Sequence, residues 1–534
     1  MEVVFNAYQS YVLPLLSQST QEQVVIFGKK HKTSISVAVA VYGLYLLYEK
    51  ITKPPKNIRH LPQVPFWGYS GALIRGEPLY SIAKKFTIPA ATNPYGMYVR
   101  FDNSGWCVRV NQPELVKEVF MNTKLFPKDD LVSELDGTVF GRFVVGAPNL
   151  IFAGSHQHWL NQRKVANPAF KRAAPVETFG RLAQDLFSVM DQVADKPIDC
   201  HDLMERFTLD AIGKAGFDFD FKAVLDRDND WVQRYNNIVH AMFQPLHLLI
   251  PALDRNFLFL MPERKRAHKE LTKLLDMLRG LVIQRRQNLQ EKKASDTVEN
   301  EKDVLTLMIE AENEGNGAMS DEELMSNLCI FFIAGHETSA NSLSTAAYYM
   351  ATHPEVQEKA REEANRILGN ERKDILPTLD QCRKMEYINY IIEETLRMAP
   401  PVVTVVARKV TQDTQLGNAF IPKGTRLAVD LYEMQNNPAI WDEPDVFRPE
   451  RFAPGNEADN QPKSGFAYVP FISGPRQCIG MNFALDEQRV LLAMMVRKYE
   501  WSLPKDSIHK ERLQASGLIV NSPKDFYLNF KKLY

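Results

Sequence analysis

The sequence predicts a mainly α-helical fold with a minor β part, preceded by an apolar helix on the N-terminal side. Three observations predict it. Helical periodicity dominates from about residue 175 to about residue 400. Short alternating runs, Tyr98-Val99-Arg100-Phe101 and Cys107-Val108-Arg109-Val110, carry the strand signal. An uncharged run from Ile35 to Tyr48 stands apart from both, and a proline-rich stretch follows it.

Length and charge narrow the class. A chain of 534 residues exceeds the usual size of one domain but lies within reach of large single-core enzymes that bury a cofactor. The formal net charge of −1 leaves no global basic surface for a nucleic acid, so any basic binding surface is local. The five cysteines, Cys107, Cys200, Cys329, Cys382 and Cys478, are scattered without framework spacing, which points to a reducing compartment and a core facing the cytosol.

In chain order, residues 1–32 form an N-terminal extension in which Asn6, Gln9, Ser10 and Pro14 interrupt the apolar run. Residues 33–51 read as a transmembrane anchor, since nineteen residues at a helical rise of about 1.5 Å span roughly 28 Å. No small-residue cleavage site closes the run, which ends in Tyr48, Glu49 and Lys50, so its removal is not expected. Basic residues flank both ends and give a slight preference for the C-terminal side inside. Residues 52–66, with Pro54, Pro55, Pro62 and Pro65, make a stiff, extended hinge, and the domain boundary falls there. A helix is expected from Pro113 and another over Ser155 to Lys164, with Trp159 and Arg163 on one face at i and i+4. The charged segment Gln290 to Glu301 reads as a solvated loop. A long helix then starts at the capping box Ser320-Asp321-Glu322-Glu323 and runs to Thr352. Within it the polar patch Gly335-His336-Glu337-Thr338 interrupts an apolar surface, and such local inconsistency tends to mark a functional site. Gly335 would let the helix open beside a ligand, and Thr338 would bond a nearby carbonyl or a water. Glu394 and Arg397, at i and i+3 on a later helix, are placed to form an ion pair.

The most informative stretch is Phe471-Ile472-Ser473-Gly474-Pro475-Arg476-Gln477-Cys478-Ile479-Gly480. Gly474 and Gly480 allow backbone conformations and close approaches that a side chain forbids, and Pro475 stiffens the turn. The helical run Met481 to Leu492 puts Cys478 at a helix N-terminus, where the dipole favours an anion and lowers a thiol's pKa. Zinc would need three more ligands, yet no other Cys and no His lies between Gly465 and Glu500. A lone thiolate suits haem iron, where it pushes electron density toward O–O cleavage.

Phe471, Gly474, Arg476, Cys478 and Gly480 stand as in F-x-x-G-x-R-x-C-x-G, and the loop closely resembles that of the cytochrome P-450 haem-thiolate monooxygenases. The resemblance covers roughly residues 60 to 530 and implies a cytochrome P-450 fold over residues 67–534. It implies haem b as cofactor, with Cys478 as axial ligand and Phe471 and Gly480 beside it. Trp159, Arg163, Arg408 and Arg476 would reach the haem propionates. Gly335, Glu337 and Thr338 resemble A-G-x-E-T, which implies a proton relay toward the oxygen being reduced; His336 is expected to pack and not to ligate iron. Glu394, Arg397 and, from the P-E-R-F element, Arg451 would lock the core behind the haem. Phe331, Phe332, Ala334, Val402, Val403, Val406 and Leu518 are expected to line an apolar substrate cavity, for a steroid, terpenoid, fatty acid or aromatic guest.

The implied reaction inserts one oxygen atom from O2, with electrons from NADPH. With no G-x-G-x-x-G after a strand and no flavin extension, the chain needs a partner: an NADPH-cytochrome reductase, with cytochrome b5 as a second candidate donor. Lys164, Lys171, Arg172 and Arg489 are candidate docking cations. The implied location is the endoplasmic reticulum membrane, single-pass, with the catalytic domain in the cytosol, and the long N-terminal extension is similar to that of fungal microsomal members. Two rivals stand beside this reading: a haem-thiolate isomerase or dehydratase that rearranges peroxides without a reductase, and a non-catalytic haem-binding membrane protein. Retention of Glu337 and Thr338 counts against both.

Overall fold

The structure, a computed structural model, describes residues 32–102, 105–129, 135–144, 146–153, 155–171, 174–193, 196–291, 302–315, 319–461, 465–517 and 519–534. Of the sequence expectations, those for residues 1–31, Arg172, Leu518 and most of the 290–301 loop lie outside the described residues. The chain divides into two compact units, Met1–Arg59 and His60–Tyr534.

The described part of the first unit is dominated by helix α1, Lys32–Thr52, with large apolar side chains such as Val37, Val41, Leu44 and Leu47 exposed. The expected transmembrane anchor over 33–51 is corrected here. Among the described residues no helix is long and apolar enough to cross a membrane. The run is uncharged at its centre, but Ser34, Ser36, Gly43, Tyr42, Tyr45 and Tyr48 dilute its hydropathy, and Lys32, Glu49 and Lys50 close its ends. Counting uncharged residues measures length and overstates apolarity.

The second unit is built on helices α2 (His156–Lys171), α3 (Val176–Met190), α4 (Cys200–Phe217), α5 (Asp230–Met242), α6 (Pro262–Glu291), α7 (Asp321–Thr352), α8 (Glu386–Met398) and α9 (Met481–Lys498). Its strands include β1 (Met97–Asp102), β2 (Gly105–Val110), β3 (Ile198–Asp199), β4 (Arg408–Lys409), β5 (Arg426–Val429), β6 (Tyr499–Ser502) and β7 (Tyr527–Lys532). The larger sheet has the order β1-β2-β5-β4, with β2 and β5 parallel and the other pairs antiparallel. A second sheet, β3-β7-β6, is antiparallel.

Helix α7 is the axis of the unit. Its start is fixed by the capping box read in the sequence: Ser320 Oγ accepts from the Glu323 amide at 3.2 Å, and the Ser320 amide donates to Glu323 Oε2 at 2.8 Å. From Ser326 to Tyr348 nearly every residue is buried, so the helix is covered on all sides. One apolar core joins α3, α4, α7, α8 and α9 through residues such as Phe207, Leu343, Ile391 and Leu491. The other joins α2, α4, α5, α6 and the first half of α7 through residues such as Val165, Ile212, Tyr235, Leu274 and Leu328.

Candidate active site

The cysteine loop is held in shape by its own backbone. Gly474 has φ +82, and a Cβ there would meet Met121 Sδ at 2.8 Å, so this position demands glycine. Ile472 also takes a left-handed φ of +59, and the Cys478 amide donates to Phe471 O at 2.9 Å, closing the turn. Gly480 differs from the sequence expectation. Its φ is −87, and a Cβ there would meet nothing within 4 Å. The backbone does not require glycine at 480, and the space beside it is open.

Cys478 is deep and open at once. Surrounding protein raises its thiol above the ordinary value through burial, opposed by the Gly480 amide that donates to the sulfur and by the charge of Arg163. Its side chain is nevertheless exposed, while the other four cysteines are buried. A side chain that is both enclosed and accessible lines an interior space. Burial pushes the Cys329 and Cys382 thiols to about 12, so these stay protonated. Among the described residues no three His, Cys, Asp or Glu side chains gather as a metal site.

Cations converge near the loop. The Arg476 guanidinium lies over the Trp159 ring at 4.1 Å, and its Nη2 donates to Ala153 O at 3.2 Å. Arg408 Nη1 donates to Phe126 O at 2.8 Å, and its guanidinium lies 5.6 Å from the Phe120 ring. Arg476 Nη1 and Arg408 Nε and Nη2 are buried with no hydrogen-bond partner among the described residues. Burial, then the charges of Arg408 and Arg163, push Arg476 down to about 9, and burial alone pushes Arg408 to about 10. Arg163 is within electrostatic reach of both Arg476 and Cys478. Sequence reasoning missed Lys128, which bridges Arg408 across the sheet edge. Burial and the charges of Arg408 and Arg476 hold its ammonium well below the ordinary value. No local signal marks Lys128, because its neighbours arrive from distant parts of the chain.

Helix α7 presents one open face. Between Ser326 and Tyr348 only Ala334, Gly335 and Thr338 are part-exposed. Thr338 Oγ1 donates to Ala334 O at 2.5 Å, and Glu337 is buried beside them. Gly335 does not open the helix, which is continuous; a Cβ there would meet Ile212 Cδ1 at 3.1 Å, so its role is close packing of α4. His336 packs, as expected, edge-on to Tyr235 at 5.4 Å.

Three of the expected cavity residues point elsewhere. Phe332 packs on Phe217 and Phe221 at 4.4 and 5.5 Å, and Phe331 on Phe170 at 5.1 Å, because the turn of α7 that carries them faces α4 and α2. Val403 is buried with Ala83 and Tyr432, whereas Val402, Thr404 and Val406 alternate with it and are part-exposed. Val406, Ile479 and Ile519 pack against the core that contains Phe331 and Ile333. Arg489 donates to Asp486 at 2.8 Å and Asn389 at 2.6 Å, so it is not a free docking cation, while Lys164 and Lys171 are exposed.

Behind the loop, Arg397 holds Glu394 through bonds of 2.6 and 2.9 Å, and Arg451 Nε donates to the same carboxylate at 3.2 Å. All three side chains are fully buried. Their remaining guanidinium donors meet backbone carbonyls of Gln435, Pro444, Asp442, Glu443 and Val446, and Arg451 Nη1 also pairs with the Glu457 carboxylate.

The cytochrome P450 family model matches residues 62–530. The chain belongs to the cytochrome P450 family. It is 27% identical over 502 residues to cytochrome P450 3A28 of Bos taurus, covering 90% of this chain and 91% of that one. It is 26% identical over 499 residues to cytochrome P450 4F2 of Homo sapiens, again covering 90% and 91%. The solved heme domain of cytochrome P450DA has the same fold, with a TM-score of 0.73 at 24% identity over 89% of this chain and 98% of that one. The protein is therefore a P450 monooxygenase whose cofactor is a cysteine-ligated haem. The residues present fit that group: the orphaned guanidinium donors of Arg408 and Arg476 suit the carboxylates of haem b, and the deep, open thiol and the vacant space at Gly480 suit its ring.

Proposed function

We propose that this P450 oxygenates a lipophilic substrate, of the size and apolarity of a steroid, terpenoid, fatty acid or simple aromatic compound, with electrons from an NADPH-dependent reductase. One observation carries the reading: the only open positions on the buried stretch of α7 are Ala334, Gly335 and Thr338, and the part-exposed Val406 packs against the core that contains Phe331 and Ile333 of the same helix. A mostly apolar lining beside the Thr338 hydroxyl orients a guest without satisfying many polar groups on it.

Cys478 is the thiolate in this reading, with the Gly480 amide and the Arg163 charge favouring its ionised form. Arg408, Arg476, Arg163 and Lys128 would hold the two propionates of a bound haem, and Trp159 fixes the plane of Arg476 by stacking on it. The haem, when bound, supplies oxygen activation. Thr338 holds a hydroxyl at the open face, anchored on Ala334 O, and Glu337 stands next to it as the acid that feeds it. Glu394, Arg397 and Arg451 act by fixing the core behind the loop. Exposed Lys164 and Lys171 support docking of an acidic electron donor, a reductase or cytochrome b5. Location at the endoplasmic reticulum membrane, with the second unit in the cytosol, is supported by the exposed apolar side chains of α1, which lie at an interface in this reading.

The test is a reduced, CO-treated difference spectrum of the purified protein, followed by titration with lipophilic compounds for a spin-state shift. The expected result is the band of a thiolate-ligated haem, its loss in Cys478→Ser, and NADPH-dependent O2 consumption with any compound that shifts the spin state. Oxygenation that survives Cys478→Ser would overturn the reading.

A further inference from the structure

On the side of α7 that meets α4 and α5, ionisable side chains that none of the motifs above uses lie against His336 and Glu337. His201 and Glu205, one turn apart on α4, approach to 3.2 Å between Nε2 and Oε1. His201 Nδ1 lies 3.0 Å from the Ser344 hydroxyl of α7. On α7 itself His336 Nδ1 stands 3.5 Å from Oε1 of Glu337, and Tyr235 of α5 covers the His336 ring. The two pairs form one electrostatic group: the charge of Glu337 acts on His201, that of His336 on Glu205, and both carboxylates on Tyr235.

The inner end of this group is sealed and the outer end is wet. The side chains of His336 and Glu337 keep 2% and 9% exposure, those of His201 and Glu205 16% and 32%. Both ring nitrogens of His336 and the hydroxyl of the buried Tyr235 have no hydrogen-bond partner among the described residues. Buried polar atoms are met by protein or by ordered water, so the inner end keeps hydrogen-bonding capacity that its neighbours do not use.

We propose that His201 and Glu205 are the solvent port of a proton relay that runs along the seam between α4 and α7, past His336, to Glu337. The inference rests on the monooxygenase reading above, in which each turnover consumes two protons and two electrons. In one passage the outer pair takes a proton from bulk water and passes it inward, and Glu337 hands it to Thr338, whose hydroxyl stands at the open face. Every side chain returns to its starting state, so one proton moves and no electron does.

The charges around His201 suit the task. Burial works against its protonated form, but the Glu205 hydrogen bond and the charges of Glu205, Glu337 and Asp199 outweigh it and raise the ring above its ordinary value. Burial likewise works against charge on Glu205, and the bond and charge of His201 with those of His336 and Arg227 lower it. The groups facing the pair are thus Asp199 and Arg227 from the α4 side, Tyr235 from α5, and Cys329, His336 and Glu337 from α7. A histidine raised toward neutrality gives and takes protons there.

The test uses the haem-loaded full chain, labelled in its histidine rings and held in the reduced, CO-bound state for magnetic resonance. The His201 signal is assigned by its loss in His201→Gln. Its titration midpoint is expected to fall in Glu337→Gln, while that of exposed His60 stays in place. In turnover with a reductase, His201→Gln and Glu205→Gln, chosen because glutamine keeps a hydrogen bond in either place, are expected to enlarge the solvent deuterium isotope effect. They should also raise peroxide released per NADPH by roughly tenfold, less than the roughly hundredfold that a positioned acid or base itself contributes, because only the outer port is changed. Variants are compared only where the CO spectrum shows full haem loading. An unmoved His201 midpoint in Glu337→Gln, or wild-type isotope effect and peroxide yield in both outer variants, overturns the relay. A wild-type protein that shows the CO band but oxygenates nothing overturns the monooxygenase reading instead, and the resonance titration still decides whether the two pairs are coupled.

Discussion

Lys128, Arg408 and Arg476 repel one another across a small buried volume, and the charges acting on Lys128 are all positive. Without an anion such a cluster destabilises the fold; with two propionates it becomes the strongest polar contact of the cofactor. Lys128→Met is therefore expected to act in opposite directions on the two forms. The apoprotein gains stability, and haem affinity falls by about 1.5–3 kcal/mol, the usual worth of a hydrogen bond to a charged group, or roughly ten- to a hundredfold. The sign of the pH dependence follows from the depressed ammonium. Where a lysine binds its proton less tightly in the folded chain than in the unfolded one, stability rises with pH between the folded and unfolded values and the penalty is complete below the folded one. Apoprotein stability, followed by chemical denaturation, should thus climb as pH rises toward about 10.5 and should lose that slope in Lys128→Met. Equal slopes in the two proteins would reject the account. Cys478 and Arg476 were legible in the sequence because their loop is one continuous turn with a fixed spacing. Lys128 was not, since what defines it is a bridge to Arg408, far along the chain.

At the scale of elements, α7 and α9 meet across a polar seam inside the core. Ser342 Oγ donates to Gln488 Oε1 at 2.6 Å, while the buried Glu487 carboxylate lies beside the Ser339 hydroxyl with no other hydrogen-bond partner among the described residues. Burial, opposed by the Ser339 hydroxyl, raises Glu487 to about 8. The folded chain therefore holds this proton more tightly than the unfolded one, and stability falls as pH rises from the ordinary carboxyl value of 4.5 to about 8. Glu487→Gln keeps the shape and removes the charge. It is expected to leave stability near pH 5 almost unchanged and to stabilise near pH 9 by an amount on the order of a few kcal/mol, read from denaturant midpoints at the two values. A variant as labile as wild type near pH 9 would show that water already satisfies the carboxylate. The elements themselves were largely legible. The capping box placed the start of α7, and Glu394 and Arg397 share a face of α8 as their spacing required. What periodicity left open was direction: Phe332 faces α4 and Val403 faces Ala83 and Tyr432, choices made by packing between distant segments.

For the whole molecule, both large apolar cores and both larger sheets lie wholly within residues 60–534, whereas α1 carries exposed apolar side chains along its length. The sequence shows the helix and the prolines after it, but reading α1 as a span took uncharged residues for apolar ones. Tyrosines and serines are at home in the interfacial region of a bilayer, where a helix binds by its exposed surface. Folding and membrane attachment are accordingly expected to separate. A chain beginning at His60 should load haem and give the same CO band as the full chain, because every residue argued to hold the cofactor, from Lys128 to Gly480, belongs to the second unit. The same truncation should shift the protein from the vesicle-bound to the free fraction in flotation with phosphatidylcholine vesicles. Replacing Val37, Val41, Leu44 and Leu47 by serine in the full chain should produce most of that shift, since each large apolar side chain buried in lipid contributes about 1.5–3 kcal/mol. Loss of the CO band on truncation would mean that the first unit is needed to fold the second, and unchanged flotation in the serine variant would remove α1 as the membrane contact.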